Sequence, residues 1–175
     1  MTEGQPLFAA APLFTNDFQL GERIESGKLY LAAMLDMCSR FVVGWAISAV
    51  NDRHLTIPAL EMALKRRCPD SGLRHHSDRG SPHASEDDQA ILEAHGITCS
   101  MSRRSDCDDN AVMEAFFSTG TIELDDRFES RDQAKQELFE YIEVFYNQRR
   151  RHSTIGHIRP AAYEQRALSA TVSEG

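Results

Sequence analysis

Residues 29–47 read LYLAAMLDMCSRFVVGWAI. Two runs of mainly apolar residues, 29–35 and 41–47, are joined by the short polar link Asp36–Arg40. Strand-like runs separated by a link of this length predict a β-hairpin. Because neither run alternates with polar residues, both strands should be buried on both faces, and helices elsewhere in the chain should cover the sheet.

The flanking regions extend this hairpin into a larger α/β unit. Residues 14–20 form a third strand-like segment, and short strands are predicted at 73–77 and 97–101. Apolar spacing and helix-capping residues predict helices within 57–67, 85–96, 110–124 and 130–147, broken after that by Gly156 and Pro160. The order β-β-β-α-β-α-β-α-α predicts an α/β sandwich with a mixed five-stranded sheet and helices on both faces. This order resembles the ribonuclease H-like class.

Composition narrows the class of protein. The 175 residues suit one globular domain, no apolar run approaches the ~18 residues of a membrane span, and the N-terminus does not resemble a secretory signal. None of the four cysteines forms a C-x-x-C pair, so free thiols are expected. Zinc ligation by Cys99 and Cys107 with His75 or His76 is the alternative.

The charge distribution is uneven. The chain holds 19 Lys and Arg against 27 Asp and Glu, a formal net charge of −8, whereas a dedicated nucleic-acid binder is usually basic. No acid occurs between Glu143 and Glu164, and that segment contains Arg149, Arg150 and Arg151. A local phosphate-contacting surface is therefore predicted despite the overall charge.

Three acids are the candidate catalytic residues. Asp17 lies in the first predicted strand, Asp78 at the end of the fourth, and Glu114 in the helix that follows the polar segment 102–109. Carboxylates are the ligands that Mg²⁺ prefers, and two such ions can activate the attacking oxygen and stabilise the leaving oxygen of a phosphodiester. Asp36, at the end of the second strand, is the rival to Asp17 as the first metal ligand.

A family resemblance rests on four segments in a fixed order. They are LYLAAMLDMCSRFVVGW (29–45), HHSDRGS (75–81), HGITCSMSRRSDCDDNAVME (95–114) and EYIEVFYNQRRRH (140–152). These segments resemble the retroviral-integrase-like catalytic core of bacterial insertion-sequence transposases. The resemblance is narrower still to the family whose transposase is made by a frameshift between two reading frames. It covers residues 14–166.

The resemblance implies a function and a site. It implies metal-dependent DNA strand cleavage and strand transfer in DNA transposition and integration, on transposon ends and target DNA, in a bacterial, nucleoid-associated cytoplasmic setting. It implies that Asp17, Asp78 and Glu114 form the catalytic Asp-Asp-Glu triad and hold Mg²⁺ or Mn²⁺, with two ions expected. It also implies a homo-oligomer when the protein is assembled on DNA, and no membrane partner.

The DNA-binding residues are predicted from charge and position. Arg103 and Arg104 lie in the polar segment, for which we expect a mobile loop, and Arg149, Arg150 and Arg151 lie in the acid-free tract. The alternative for that tract is a solvated helix end whose cations match the helix dipole.

Departures from the family pattern predict weak activity. Only the aromatic residue and the acid of the family's Trp-x-x-Asp-Ile-Thr-Tyr pattern are kept in Phe14–Leu20, and Thr121 stands where the family commonly has a basic residue. Nothing before Leu13 resembles a helix-turn-helix, so we expect a lead-in at 1–12, a catalytic core at 13–166 and a flexible tail at 167–175. The alternatives are an inactive DNA-binding or dimerising remnant and a metal nuclease without strand transfer.

Overall fold

The computed structural model describes residues 13–19, 29–69, 72–77, 86–101, 112–113, 115–118 and 128–173. The strands are β1 (Leu13–Gln19), β2 (Tyr30–Asp36), β3 (Val42–Ser48), β4 (Arg74–Ser77) and β5 (Thr98–Met101). The helices are α1 (Arg53–Arg67), α2 (Glu86–Ala94), α3 (Arg131–Phe139) and α4 (Pro160–Ser173). Residues 112–113 and 115–118 are also helical, a π-helix (Glu140–Tyr146) continues α3, and a 3₁₀ turn (Ser153–Ile155) precedes α4.

The strands form one mixed sheet in the order β3-β2-β1-β4-β5. The predicted hairpin pairs β2 with β3 antiparallel, and β2 also pairs antiparallel with β1. On its other side β1 runs parallel to β4, which runs parallel to β5. The carboxyl ends of β1, β4 and β5 therefore lie along the same edge of the sheet, because parallel strands share their direction.

Both faces of the sheet are covered, as the apolar runs predict. On one face Leu31, Ala33 and Leu35 belong to a core that includes the π-helix and the helical residues near 116. On the other face Ala32 and Met34 belong to a core with α1 and α2. Successive residues of one strand thus enter two different cores, because strand side chains alternate between faces.

The contact between α1 and the sheet depends on a glycine. A Cβ atom built on Gly44 would lie 2.1 Å from the backbone oxygen of Ala59, so only glycine allows α1 to approach β3 this closely. The helix begins at Asp52, whose side chain accepts a hydrogen bond of 2.9 Å from the backbone N–H of His54. It ends after three cations at Cys68, which has a left-handed backbone.

The long helix predicted for 130–147 is confirmed in extent, but it changes from an α-helix to a π-helix along its length. Ser130 caps it by accepting from the N–H of Gln133 at 3.2 Å, as the sequence pattern predicts. The turns widen to a π-helix from Glu140, so the N–H of Asn147 donates to the carbonyl of Ile142. The buried Asn147 side chain then donates to, and accepts from, the backbone of Val42, which joins this helix to β3.

The predicted element order lacks α4, and this part of the prediction is wrong. Pro160 interrupts the preceding structure, as expected, but it is also the first residue of a new helix. Proline is favoured there because the first-turn N–H that it lacks has no partner within a helix. Residues 167–173, predicted as part of a flexible tail, are helical, and Ala167 is buried. None of the described helices is both long and apolar enough to cross a bilayer.

Candidate functional site

The predicted triad is only partly within the described residues. Asp17 lies in β1, where its Cα is paired with that of Ala32 in β2. Asp78 and Glu114 lie outside the described residues, as do Arg103 and Arg104 of the predicted DNA-binding set. The described neighbours of these acids therefore supply the geometry near the predicted metal site.

The strand that leads to Asp78 ends beside β1. The parallel pairing of β1 with β4 runs from Leu13 and His75 to Thr15 and Ser77. Thr15 precedes Asp17 by two residues, and Ser77 precedes Asp78 by one. The end of β4 thus lies beside the middle of β1; Asp78 follows directly after that end, and Asp17 lies two residues further along β1.

The residues flanking Glu114 lie in a helix packed on the sheet. Met113 and Phe116 are buried in the same core as the odd-numbered residues of β2, whereas Ala115 is exposed. The phenol of Tyr141 donates to the carbonyl of Phe116 at 3.0 Å and so ties this helix to the π-helix. Its position is therefore determined by core packing.

Asp36, the rival to Asp17, has a different set of partners. It is 2% exposed, and its Oδ1 accepts from the backbone N–H of Cys38 at 2.9 Å and of Ser39 at 3.1 Å. Its Oδ2 lies 3.2 Å from the guanidinium of Arg67. Ala32 is the Cα partner of Asp17, and Asp36 lies four residues beyond Ala32 along β2. At ~3.3 Å per residue, Asp36 is about 13 Å along the sheet from Asp17.

Asp36 belongs to a set of side chains joined by ion pairs and hydrogen bonds. We call this set, which consists of Asp36, Ser39, Arg67 and Glu164, the Arg67 cluster. Arg67 pairs with Glu164 of α4 as well as with Asp36, and the hydroxyl of Ser39 donates to Glu164 at 2.8 Å. Beside them, the Tyr163 hydroxyl lies 3.3 Å from Cys38 Sγ. This cluster joins α4 to the end of α1 and to the turn between β2 and β3.

A second charged region includes Arg40 of that turn. Arg40, Arg150, Arg151 and His152 line a cavity of about 430 Å³, which we call the basic cavity. Val112 and Ala115, which flank Glu114 in sequence, also line it. No Asp or Glu occurs among its described lining residues.

The basic cavity divides the predicted DNA-binding tract. Arg150 and Arg151 line it, whereas Arg149 is exposed and is not among the lining residues. Sequence reasoning missed Arg40 as a member of the site, because it lies 110 residues before Arg150 in the chain. Its backbone φ of 62° is uncommon for a residue other than glycine, but that signal is visible only in the structure.

Aromatic packing holds these side chains in place. The Arg150 guanidinium carbon lies 5.7 Å from the centroid of the Tyr146 ring, and the His152 ring lies edge-to-face on Tyr146 at 5.0 Å. Burial, with smaller contributions from Arg150 and Arg40, lowers the pKa of His152 from 6.5 to about 4. His152 is therefore neutral at pH 7, and the positive charge of the cavity comes from the arginines.

Most of the predicted metal site lies outside the described ranges. They contain no group of three His, Cys, Asp or Glu side chains arranged to hold a metal ion. Cys99 and Cys107 of the zinc alternative have no described side chains, and of the described cysteines Cys38 and Cys68 are free thiols.

Comparison with known proteins identifies the family. The "Integrase core domain" model matches residues 14–107, and a second model of the same description matches residues 95–160. The IS600 uncharacterized 31 kDa protein of Shigella sonnei is 43% identical over 146 residues, 81% of this chain and 53% of that protein. Transposase InsF for insertion sequence IS3A of Escherichia coli strain K12 is 40% identical over 149 residues, 84% of this chain and 52% of that protein.

Solved structures show the same fold at low sequence identity. The HTLV-2 integrase catalytic core domain, in complex with magnesium and in a dimeric form, has a TM-score of 0.60 and 13% identity, over 91% of this chain and 97% of that chain. The BIV integrase catalytic core domain has a TM-score of 0.58 and 12% identity, over 94% of this chain and 97% of that chain. The predicted α/β, ribonuclease H-like fold class is therefore confirmed.

The predicted similarity to insertion-sequence transposases is also confirmed, although the chain spans about half the length of the curated relatives it matches. On the match of the first family model, over residues 14–107, the chain belongs to the integrase core domain family.

Proposed function

We propose that this chain is the catalytic core of a transposase that cleaves DNA and transfers DNA strands in a reaction dependent on a divalent metal. Asp17, Asp78 and Glu114 are its proposed catalytic residues. The proposal rests on membership of the integrase core domain family and on similarity to insertion-sequence transposases.

The parallel pairing of β1 with β4 is the observation that carries the proposed site. Thr15 and Ser77 are Cα partners, and consecutive Cα atoms are ~3.8 Å apart, so short lengths of chain connect this pair to Asp17 and Asp78. A carboxylate within β1 and another directly after the neighbouring end of β4 are suited to share a metal ion. The helical residues around Glu114 pack against the neighbouring strand β2, which supports a contribution from that helix.

The contacts of Asp36 favour Asp17 as the first ligand. Both oxygens of Asp36 already have partners, in the turn N–H groups and in Arg67, and a carboxylate paired with a guanidinium has less capacity for a cation. Asp36 also lies beside Leu13, the first residue of β1. The two candidate aspartates lie further along the direction in which β1 and β4 both run.

The chemistry of the proposed ligands fits Mg²⁺ or Mn²⁺. Three carboxylates are hard oxygen donors, and Mg²⁺ is commonly held by one or two carboxylates while it keeps several waters. When bound, two such ions would activate the attacking oxygen and stabilise the leaving oxygen. The protein's own part is to hold the three carboxylates on a strand, a strand end and a helix of one packed core.

The proposal also includes the DNA substrates and the assembly of several copies of the chain on DNA. The proposed substrates are transposon ends and target DNA, since the relatives include transposases of insertion sequences. We propose a homo-oligomer on DNA, which the dimeric form of the HTLV-2 core supports. The net charge of −8 opposes DNA binding at long range, although salt screens that repulsion beyond ~8 Å.

Nicking of supercoiled plasmid in Mg²⁺ or Mn²⁺ tests the activity. We expect slow, metal-dependent nicking that Glu114→Gln lowers at least ~100-fold, because the variant keeps the shape of the side chain but removes its charge. Glu93→Gln on α2 is the matched control, since Glu93 is exposed and carries the same charge. It should nick at the wild-type rate.

Metal binding separates an active core from an inactive remnant. Titration of the protein with Mn²⁺, followed by the paramagnetic resonance of the free ion, should show sites that are weakened by Asp78→Asn and unchanged by Glu93→Gln. Mn²⁺ binding equal in all three proteins, with no nicking, would contradict the proposal and favour the remnant.

A further inference from the structure

The basic cavity is lined by side chains with polar atoms that the described fold leaves unpaired. Arg40 Nε, Arg150 Nε and His152 Nε2 are buried and have no hydrogen-bond partner among the described residues. Leaving a buried polar atom without a partner destabilises a protein, so native structures keep few of them. Three such atoms around one cavity indicate a site whose partner is a ligand.

The charge of the cavity determines the class of ligand. Arg40, Arg150 and Arg151 are always protonated near neutral pH, and the described lining offers no carboxylate to neutralise them. Arginines prefer planar, two-point contacts to carboxylate and phosphate oxygens. An anion with several oxygens would accept hydrogen bonds from the guanidinium groups that line the cavity and would neutralise their charge.

The size and position of the cavity favour a phosphate of a polymer. A volume of about 430 Å³ lies within the usual range of ligand sites, ~300–1,000 Å³, and exceeds the need of one small ion. Val112 and Ala115 form part of its wall, so the cavity adjoins the helix that carries Glu114 in sequence. A phosphate held here would lie on the same surface as the proposed catalytic helix.

We propose that the basic cavity binds one backbone phosphate of DNA through Arg40, Arg150 and Arg151, with His152 in the wall of the cavity. The anion site rests on the geometry alone, whereas its assignment to DNA rests on the proposed function. Arg40 is the new member of the DNA-binding set, and Arg149 is excluded from this contact.

Binding of a labelled 20-base-pair duplex in EDTA, measured by fluorescence anisotropy over a series of salt concentrations, tests the site without catalysis. Arg40→Gln and Arg150→Gln should each weaken binding about tenfold and lower the salt slope by ~0.9, the value for one phosphate contact. Arg166→Gln is the matched control, because it removes the same charge from an exposed position in α4 outside the cavity and outside the predicted DNA-binding set. It should change affinity less than about threefold.

Thermal unfolding in inorganic phosphate provides the second arm. Phosphate should raise the Tm of the wild type above that in chloride of equal ionic strength, and Arg40→Gln should remove that rise. Equal DNA affinities for Arg40→Gln and Arg166→Gln, with the Tm effect present, would overturn DNA in favour of a free-phosphate site. The absence of both effects would overturn the anion site itself. Neither arm requires metal, so a failure of the proposed catalysis would leave these readings unchanged.

Discussion

Arg67 contacts the turn between β2 and β3, Arg40 belongs to that turn, and the surroundings of the two arginines differ in kind. Arg67 contacts two carboxylates, those of Asp36 and Glu164, and its guanidinium lies 5.5 Å from the centre of the Phe41 ring. Arg40 lines a cavity with Arg150 and Arg151 and with no described acid, and among the described residues its side chain makes a long polar contact of 3.7 Å to the sulfur of Met37. An arginine that pairs with carboxylates stabilises the fold, whereas a group of arginines without a described acid beside it is available to a ligand.

The surroundings of Asp36 show that a buried acid at a strand end can be structural. Asp36 is 2% exposed, and it caps a turn while it pairs with Arg67. Burial of an acid at a strand end therefore does not by itself identify a metal ligand, and the partners of the carboxylate have to be considered too.

Removal of Arg67 should have the largest effect on stability. Arg67→Gln leaves Asp36 and Glu164 as neighbouring, partly buried negative charges, and loss of one partner of a buried pair destabilises by about 3–5 kcal/mol. The free energy of unfolding in urea measures this loss. Arg66→Gln is the control: Arg66 is more exposed, 35% against 15%, and has one carboxylate partner, so about 1 kcal/mol is expected. Equal losses in both variants would contradict the distinction.

The pH dependence of stability tests the surroundings of His152 in the basic cavity. The pKa of His152 is lowered from 6.5 to about 4, so between these values the unfolded chain binds a proton that the folded chain does not. Its contribution to stability is fully present above pH 6.5 and is lost as the pH falls toward 4. After discounting for the partial exposure of the ring, about 1 kcal/mol is expected.

The variant His152→Gln isolates this contribution. The difference in Tm between wild type and variant should change as the pH falls from 7 to 4, with the wild type losing relative stability. His54→Gln, at an exposed position in α1, is the control and should show no such trend. A pH-independent difference for His152→Gln would show that the ring is not held neutral by its surroundings.

Removal of Arg40 should have the smallest effect on stability. Arg40→Gln relieves repulsion among three like charges and removes only a weak contact, so the free energy of unfolding should change by no more than about 0.5 kcal/mol, in either direction. The same urea experiment, in buffer without phosphate, measures it. Arg67→Gln and Arg40→Gln should thus rank oppositely for stability and for DNA affinity. A loss of several kcal/mol on removal of Arg40 would make it a structural residue.

Much of the fold could be predicted because its signals are local. The apolar runs in 29–47 give β2 and β3, and the capping residue Ser130 with Gln133 gives the start of α3. The helix α4 was not predictable in this way, since Pro160 breaks one helix and begins another with the same restricted backbone. The widening to a π-helix at Glu140 likewise has no simple local pattern, because its buried residues pack against distant strands.

The candidate site could be predicted only in part. Asp17, Asp78 and Glu114 are found from sequence position and family resemblance, and Arg150 and Arg151 from the acid-free tract. Arg40 could not be found, since it stands alone in a turn and meets Arg150 only after β3 and the π-helix have packed together. The partner of Asp36 was equally hidden, because Arg67 lies 31 residues away at the end of α1.

The sequence by itself determined the strands, most of the helices and the residue types available for chemistry, because these follow from spacing along a covalent chain. The tertiary structure alone decided which arginine is neutralised and which is left for a ligand. The physical reason is that charges interact through distance in space and through burial. Arg40 and Arg67 have the same side chain near one turn, and only packing gives them different partners.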